Sequence, residues 1–281
     1  MFLEMASTKD SSKRSILHCS DIHVGRGFRE EPAERFLALA HQLRPDAVVV
    51  SGDLTMRARR WQFLKARALL ERFPQPLVVI PGNHDIPLYL LPMRLFAPFY
   101  NYRRFAADLN RAPLVLGNVC IYALNTINPF RHQQGILRPE ALEEVRRWAK
   151  ATPPGSWRVL VVHQHFANTP DNPRPGIYPH AQARLHEIAS AGVHLVLHGH
   201  VHQSSLRTAQ EMFPGCADRV VVAAVGTLSC ARTRGSERIY QFNHIEFDAD
   251  ALRLQMWNWN VTMRTFEPAE ERIFARQWFE G

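Results

Sequence analysis

Five short polar fragments, built from residue types that bind metal ions, most constrain how this chain can fold. Four of them directly follow a short apolar run, as Ser51-Gly52-Asp53 follows Val48-Val49-Val50. An apolar run that ends in polar residues is typical of a buried strand whose carboxyl end opens onto a site. The fragments are Asp21-Ile22-His23, Ser51-Gly52-Asp53, Gly82-Asn83-His84-Asp85, Val161-Val162-His163 and Gly199-His200-Val201-His202. Their succession predicts an α/β protein whose strands deliver one shared site.

Strands and helices are expected to alternate up to about residue 199. The expected strands are Ile16–Ser20, Ala47–Val50, Leu77–Ile80, Val119–Leu124, Arg158–Val162 and His194–Leu197, and the expected helices are Pro32–Gln42, Met56–Phe73, Pro139–Lys150 and Ala181–Ala191. Beyond Gly199 the pattern changes to consecutive strands at Val220–Val225, Ile239–Phe247 and Leu252–Trp259. This change predicts an antiparallel meander, and two sheets packed face to face with helices outside.

The domain organisation is expected to be simple. Residues 1–14 are polar and mixed in charge, so they indicate a flexible tail and not a signal peptide. Residues 15–281 are expected to form a single domain, because 46% hydrophobic and 21% charged residues is ordinary globular composition. No apolar run approaches the roughly 20 residues that span a bilayer. The four cysteines, at 19, 120, 216 and 230, lack metal or disulfide spacing and indicate a reducing, cytoplasmic location.

The spacing within the fragments suits metal ligation. Asp21 and His23 are two residues apart, so an extended backbone presents both side chains on one face, and His200 and His202 repeat that spacing. Asp53 follows a glycine, and its two oxygens suit bridging two metal ions. Each fragment alone is more often a turn, a loop or a core histidine. Five in this order predict a site for borderline transition metals.

These five fragments resemble the conserved blocks of the calcineurin-like metallophosphoesterase family, from Ser20 to His202. The resemblance implies the metallophosphatase fold, an α/β four-layer αββα sandwich of two mixed β-sheets flanked by helices. It also implies two metal ions, with manganese and iron favoured and zinc or cobalt as alternatives. The implied ligands are Asp21, His23, Asp53 and His202 for one ion, and Asp53, Asn83, His163 and His200 for the other. By the same resemblance, His84 lies beside the phosphate and Asp85 orients it.

One block departs from the family pattern, which often reads His-His-Pro-Pro where this chain has His163-Gln164-His165-Phe166. Either His163 or His165 can therefore be the ligand. His163 is favoured because it directly ends the expected strand. His198, just before Gly199, is interpreted as a supporting or structural residue.

The resemblance implies hydrolysis of a phosphodiester or phosphoanhydride by a metal-bridging hydroxide. The blocks are most similar to those of bacterial cyclic-nucleotide phosphodiesterases, so a small nucleotide-type phosphodiester is the favoured substrate. The alternative is a hydrolase similar to the UDP-diacylglucosamine pyrophosphatase of lipid A synthesis, acting at the membrane surface, although that enzyme typically has arginine at the position of His84. A nuclease and a non-catalytic binding scaffold are further alternatives.

The segment at about 86–110 is a hydrophobic and basic insertion, broken by three prolines. It is expected either to pack its aromatic residues on the core or to form a lid that contacts an acyl chain or an anionic membrane. The net charge of +8 suits an anionic partner. Arg131, Arg232 and Arg234 are candidate phosphate contacts, with solvated surface arginines as the alternative interpretation.

Overall fold

The computed structural model describes residues 13–168, 177–232 and 240–280. Within these ranges twelve strands form two six-stranded sheets. The strands are β1 (Arg14–Cys19), β2 (Ala47–Val50), β3 (Leu77–Val79), β4 (Leu114–Leu116), β5 (Val119–Ala123), β6 (Trp157–Val161), β7 (Leu195–His198), β8 (Ser205–Thr208), β9 (Val221–Ala224), β10 (Gln241–Phe247), β11 (Ala251–Asn260) and β12 (Thr265–Ala275). The helices are α1 (Glu30–Leu43), α2 (Arg60–Leu70), α3 (Leu91–Phe96), α4 (Tyr100–Phe105), α5 (Pro139–Ala151), α6 (Ala181–Ser190), α7 (Ala209–Met212) and α8 (Arg276–Glu280), with single 3₁₀ turns at Asn83–Asp85 and Ala107–Leu109.

The first sheet has the order β12-β11-β10-β1-β2-β3. Its β1, β2 and β3 are parallel, whereas β10, β11 and β12 continue the sheet antiparallel from β1. The second sheet has the order β4-β5-β6-β7-β9-β8, with four parallel strands from β5 to β9 and an antiparallel strand at each edge. Both sheets are therefore mixed.

The strands are apolar on both faces because both faces are covered. In β1, Ile16 packs in the core between the two sheets, whereas its neighbour Leu17 packs in the core beneath α1 and α2. Phe36 of α1 and Phe63 of α2 are fully buried in that outer core. A third core joins the second sheet to α5 and α6. This layering confirms the expected αββα sandwich, and full burial of such side chains stabilises it by about 1.5–3 kcal/mol each.

Two expectations about local structure were wrong. The strand near residue 220 does not begin an antiparallel meander, because β9 pairs parallel with β7 in the second sheet and only β10–β12 form the meander. The second helix begins at Arg60 and not at Met56. The residues before Arg60 instead form a loop that reaches the site described below. β1 already includes Arg14, and residues 1–12 of the expected tail lie outside the described residues.

The insertion at 86–110 contains α3 and α4, which differ in their packing. Tyr102 and Phe105 of α4 are buried, and the Tyr102 hydroxyl donates to the Val79 carbonyl at 2.8 Å. The large apolar side chains of α3 and of the turn before it are mostly exposed. Among the described residues, no helix combines the length and apolar character that crossing a membrane requires.

Candidate metal centre

The carboxyl ends of five parallel strands from both sheets meet at one place. β1, β2 and β3 lead into Asp21, Asp53 and Asn83, and their neighbours His23 and His84 follow the same ends. From the second sheet, β6 leads into His163, and β7 leads into His200 and His202. Because the two sheets pack face to face, residues far apart in sequence come into contact. His23 Nε2 lies 2.9 Å from His202 Nε2.

The first cluster of donor atoms surrounds His23. Its Nε2 lies 3.4 Å from Asp21 Oδ1 and 3.4 Å from Asp53 Oδ2, and His202 Nε2 lies 3.1 Å from Asp21 Oδ1. Ligand atoms that sit about 2.0–2.2 Å from one ion are roughly 3–3.5 Å apart from each other. The four side chains therefore have the spacing of one coordination shell.

The second cluster surrounds Asn83. Its Oδ1 lies 3.1 Å from His163 Nε2 and 2.9 Å from His200 Nδ1. His163 Nε2 also lies 3.5 Å from Asp53 Oδ1. Asp53 thus presents one oxygen to each cluster, which is the arrangement of a bridging carboxylate. All seven side chains expected as ligands come together in these two clusters.

Backbone carbonyls orient two of the imidazoles. His163 Nδ1 donates to the Ser51 carbonyl at 2.7 Å, and His202 Nδ1 donates to the Arg232 carbonyl at 2.6 Å. With the proton on Nδ1, the Nε2 atom of each neutral ring points its lone pair into the cluster. A carbonyl behind a ligating histidine fixes the ring and its tautomer in many metal sites. His163 Nε2 therefore faces the donor atoms of Asn83 and Asp53, whereas His165 stacks on His200 at a ring-centroid distance of 5.5 Å.

The backbone of the ligand loops adopts a conformation that ordinary residues avoid. Five of the expected ligands have positive φ angles: Asp21 at 54°, His23 at 52°, Asp53 at 54°, His200 at 72° and His202 at 56°. Each such residue costs about 1 kcal/mol or more relative to a relaxed conformation. Strain of this kind concentrates at functional sites because the surrounding structure must hold it in place.

Two glycines allow the loops to approach the carboxylates. A Cβ atom at Gly82 would lie 2.1 Å from Asp53 Oδ1, and one at Gly199 would lie 2.4 Å from Asp21 Oδ2. Both distances are far below van der Waals contact. Any side chain at either position would therefore displace a candidate ligand.

Burial and neighbouring charges shift the pKa values of the side chains in the clusters in opposite directions. Burial lowers the pKa of His23 to about 4. Burial also opposes protonation of His163, but the Asp53 carboxylate together with Asp21 and the Ser51 carbonyl outweighs it and raises the pKa of His163 to about 9. The Asp53 carboxylate has a pKa below its usual range: burial opposes this, and the combined charges of His163, His84 and His23 outweigh the burial. A buried carboxylate that stays ionised needs a cation beside it, and either imidazolium or a metal ion can supply that charge.

His84 lies at the edge of the first cluster, with a ring nitrogen within 4.8 Å of donor atoms of both His23 and Asp53. Its backbone N–H donates to Asp53 Oδ1 at 2.8 Å, and its ring packs edge-on against His23 with centroids 4.7 Å apart. His84 Nδ1 lies 2.9 Å from the Met56 carbonyl and 3.0 Å from Arg57 Nη1. This contact was not expected from the sequence, where Arg57 was assigned to a helix.

Asp85 does not take the expected role of orienting His84 directly. Its carboxylate accepts hydrogen bonds from the backbone N–H groups of Leu54, Thr55 and Gly82, and from the Thr55 hydroxyl, at 2.8–2.9 Å. These donors belong to the loops after β2 and β3, so Asp85 joins the two loops that carry Asp53 and Asn83. Burial, together with the nearby Asp53 carboxylate, raises the pKa of Asp85 to about 7.

The three arginines expected to contact phosphate differ in their placement. Arg131 and Arg232 are exposed, and Arg232 contributes its backbone carbonyl to His202. Arg234 lies outside the described residues. His132, which follows Arg131, has its ring 6.3 Å from that of His84. His198 is buried and bonds the Gly199 carbonyl at 3.1 Å, in keeping with a structural role.

Cys230 is a residue that the sequence did not single out. Its buried sulfur lies within 4.8 Å of ring nitrogens of both His23 and His202. The Arg232 N–H donates to this sulfur at 3.5 Å, so the segment that orients His202 also holds the thiol. No pattern in the sequence distinguishes this cysteine from the three others.

The donor set fits two metal ions. Carboxylate, amide and imidazole donors together suit manganese, iron, cobalt or zinc better than magnesium or calcium. An αββα sandwich that gathers two such sets at its strand ends, with one carboxylate shared, defines the class of dinuclear metal-dependent hydrolases.

Comparisons with known proteins specify the family. Residues 14–204 match the model of the family described as calcineurin-like phosphoesterase. A cAMP/cGMP dual specificity phosphodiesterase of Mycobacterium tuberculosis is 28% identical over 254 residues, covering 79% of this chain and 72% of that protein. The glycerophosphodiester phosphodiesterase GpdQ of Enterobacter lignolyticus is 52% identical over 42 residues, which is 15% of each protein.

A solved structure shows the same fold. The purple acid phosphatase PPD1 from yellow lupin superposes with a TM-score of 0.67 at 13% identity, covering 97% of this chain and 56% of that one. The chain thus spans about half the length of the lupin protein and about three quarters of the mycobacterial one. The chain belongs to the calcineurin-like phosphoesterase family, and its class is that of a metal-dependent phosphoric ester hydrolase.

Proposed function

We propose that this protein hydrolyses a small nucleotide-type phosphodiester with the help of two metal ions. The observation that carries the proposal is the pair of four-atom donor sets that share Asp53. The phosphodiester class is supported by the two relatives, both of which are named as phosphodiesterases.

The residues divide between the two ions. Asp21, His23, Asp53 and His202 would hold one ion, and Asp53, Asn83, His163 and His200 the other. We propose manganese with iron as the native pair, with zinc or cobalt as substitutes, because the donors mix oxygen and nitrogen. When bound, such ions activate water near neutral pH and neutralise charge on the phosphoryl oxygens.

His84 is proposed to act on the leaving group. The Arg57 Nη1 donor and the Met56 carbonyl acceptor lie 3.0 Å and 2.9 Å from His84 Nδ1 and favour opposite tautomers. In the tautomer in which Arg57 donates to Nδ1, the ring proton resides on Nε2. A proton held there can stabilise charge on the departing oxygen or be transferred to it. Arg57 would then be a positioning residue that selects the tautomer of His84.

The first test is hydrolysis of bis-p-nitrophenyl phosphate by the purified protein with added Mn²⁺. We expect turnover that chelation abolishes, and a loss of about 100-fold or more in Asn83→Ala and His84→Ala. His186→Ala is the matched control, because His186 is exposed and its ring contacts Asp218 and Ser190, which are not among the candidate ligands. Absence of turnover with every divalent metal tested, or near wild-type rates in both site variants, would refute the proposal.

The substrate is tested separately. A panel of cyclic AMP, single-stranded DNA, UDP-diacylglucosamine and phosphomonoesters separates the nucleotide-type phosphodiesterase from a nuclease, a lipid pyrophosphatase and a phosphatase. We expect the highest kcat/KM for the cyclic nucleotide. The lipid substrate is the second candidate, because exposed apolar side chains lie next to the metal centre. A binding scaffold without activity is the least favoured alternative, since all seven ligand positions hold metal-binding residues.

We also propose that the protein resides in the cytoplasm. The four cysteine thiols are free, as expected in a reducing compartment.

A further inference from the structure

The insertion after Asp85 presents an unusual apolar surface. Five large side chains there and Phe130 of a later loop are between about half and nine-tenths exposed, with Phe96 at 87% and Tyr89 at 77%. We call them the apolar patch: Tyr89, Leu90, Leu91, Leu95, Phe96 and Phe130. Single exposed apolar residues are ordinary, but a group of this size on one surface marks an interaction site.

The patch is joined to the body of the protein through α3 and α4. α4, which follows α3, packs on α2, and Asn101 Nδ2 donates to the carbonyl of Ala58, in the loop before α2, at 2.8 Å. Within α3, the buried Arg94 donates to the Pro87 carbonyl at 3.0 Å and reaches the Arg131 carbonyl at 3.5 Å. The second contact places the loop that carries Phe130 beside α3.

The patch also borders the metal centre. The turn that begins it follows Asp85, and the loop that ends it continues into His132, whose ring lies 6.3 Å from that of His84. A molecule seated on the patch would therefore have its polar end near the two clusters of ligands.

The surroundings of the patch are strongly basic. Between residues 86 and 139 the sequence has six arginines and a single acidic residue, Asp108. Arg67 already binds Asp108 through both carboxylate oxygens. Arg103, Arg104 and Arg131 are exposed. The surface thus combines apolar side chains with uncompensated positive charge, as on proteins that lie on anionic membranes.

We propose that the apolar patch docks onto a bilayer that contains anionic lipid. The apolar side chains enter the interface between head groups and acyl chains, while the arginines contact lipid phosphates. A symmetric contact between two copies of the chain is disfavoured because it would place the same arginines opposite one another. Docking requires no catalysis, so vesicle binding can be measured whether or not the protein hydrolyses phosphodiesters.

The test is cosedimentation of the full-length protein with vesicles, without substrate. We expect binding to vesicles of phosphatidylcholine mixed with phosphatidylglycerol, and weak binding to phosphatidylcholine alone. The double variant Leu91→Glu/Phe96→Glu is expected to lose about tenfold or more in partitioning. Arg103→Glu/Arg104→Glu is expected to lose about fivefold or more for each charge, on anionic vesicles and at low salt only.

The control is Val261→Glu/Met263→Glu, which places the same two charges at exposed apolar residues in the turn between β11 and β12. This control should bind like the wild type, and all variants should keep the wild-type midpoint of urea denaturation, which reports folding. Failure of the wild type to bind anionic vesicles would overturn the proposal, as would equal binding by the patch variant. A dimer in light scattering that depends on the patch, without vesicle binding, would assign the surface to a second copy instead.

Discussion

Asp85 offers a quantitative test of how the metal loops are held. Its buried carboxylate accepts four hydrogen bonds from Leu54, Thr55 and Gly82, three of them from backbone N–H groups. Asp85→Asn preserves the shape but replaces one acceptor oxygen with an NH₂ group. The donors that faced the lost oxygen then meet a donor: these are the Leu54 and Gly82 N–H groups at Oδ2, or the Thr55 N–H and hydroxyl at Oδ1, of which the hydroxyl can rotate.

The change in the free energy of unfolding depends on two opposing contributions, the lost hydrogen bonds and the removed charge. Each buried donor left without an acceptor costs about 1–3 kcal/mol, and at least one backbone donor loses its acceptor whichever oxygen is replaced. Removing the charge relieves the burial of an ion and repulsion from Asp53, which raise the pKa of Asp85 to about 7 although its hydrogen bonds lower it. That pKa compares the ionised carboxyl with the protonated one, which keeps an acceptor oxygen at both positions, whereas Asn does not. We therefore expect a net loss of about 1 kcal/mol or more in the free energy of unfolding of Asp85→Asn.

The assay is urea denaturation of the metal-free protein at pH 8, where the Asp85 carboxyl is ionised. Asp108→Asn is the control, because Asp108 pairs with Arg67 at the surface and should contribute less than about 1 kcal/mol. Calorimetry should show weaker Mn²⁺ binding in Asp85→Asn, since the loops it joins carry Asp53 and Asn83. Unchanged or increased stability of Asp85→Asn would refute this reasoning.

Four further predictions follow from the two clusters. His163→Ala should lower the bound metal to about one ion per chain by atomic emission, whereas His165→Ala should keep about two; equal loss would contradict the ligand assignment. Mn²⁺ affinity should rise from pH 6 to 9, because metal must displace the His163 proton, whose pKa is about 9; calorimetry that shows no dependence on buffer ionisation would contradict it. The same raised pKa stabilises the metal-free fold fully below about pH 6.5 and loses that contribution as pH rises through 9, which pH-dependent urea midpoints would reveal. Gly82→Ala should abolish metal binding because its Cβ would collide with Asp53, whereas Gly155→Ala, with open space around it, should not; metal content checks both.

The strands and ligands of the site could be predicted because their signals are local. Val48–Val50 is apolar on both faces, which predicts a buried strand. Asp53 comes three residues after this strand, and its place beyond the strand end predicts that it is a ligand. β12, by contrast, was missed. β12 is the edge strand of the first sheet and carries Glu267, Pro268, Glu270 and Glu271. Charged residues and proline at an edge prevent pairing with another chain. They also interrupt the alternation of apolar and polar residues by which a strand is predicted.

The supporting residues could not be predicted because their roles depend on tertiary contacts. Met56 and Arg57 continue a helical pattern in the sequence, yet they form a loop whose carbonyl and guanidinium contact His84. Thr55 immediately before them bonds Asp85, 30 positions away along the chain. The need to satisfy a buried carboxylate overrides helix propensity there, and propensity is the weaker influence.

The five candidate ligands with left-handed backbone conformation link the stability of the fold to metal binding. Five strained residues cost roughly 5 kcal/mol together, which is comparable to the whole stability of many domains. No apolar core requires that conformation, since the strands before each loop are already buried and paired. The strained backbone instead brings the other six candidate ligands together around the Asp53 carboxylate. Backbone hydrogen bonds between the loops offset part of that strain, such as those from Asp21 to the Gly52 carbonyl and from His23 to the Asp53 carbonyl. The free energy of metal binding would offset more of it, because it acts only on the folded arrangement. We therefore expect fold stability and metal occupancy to rise together.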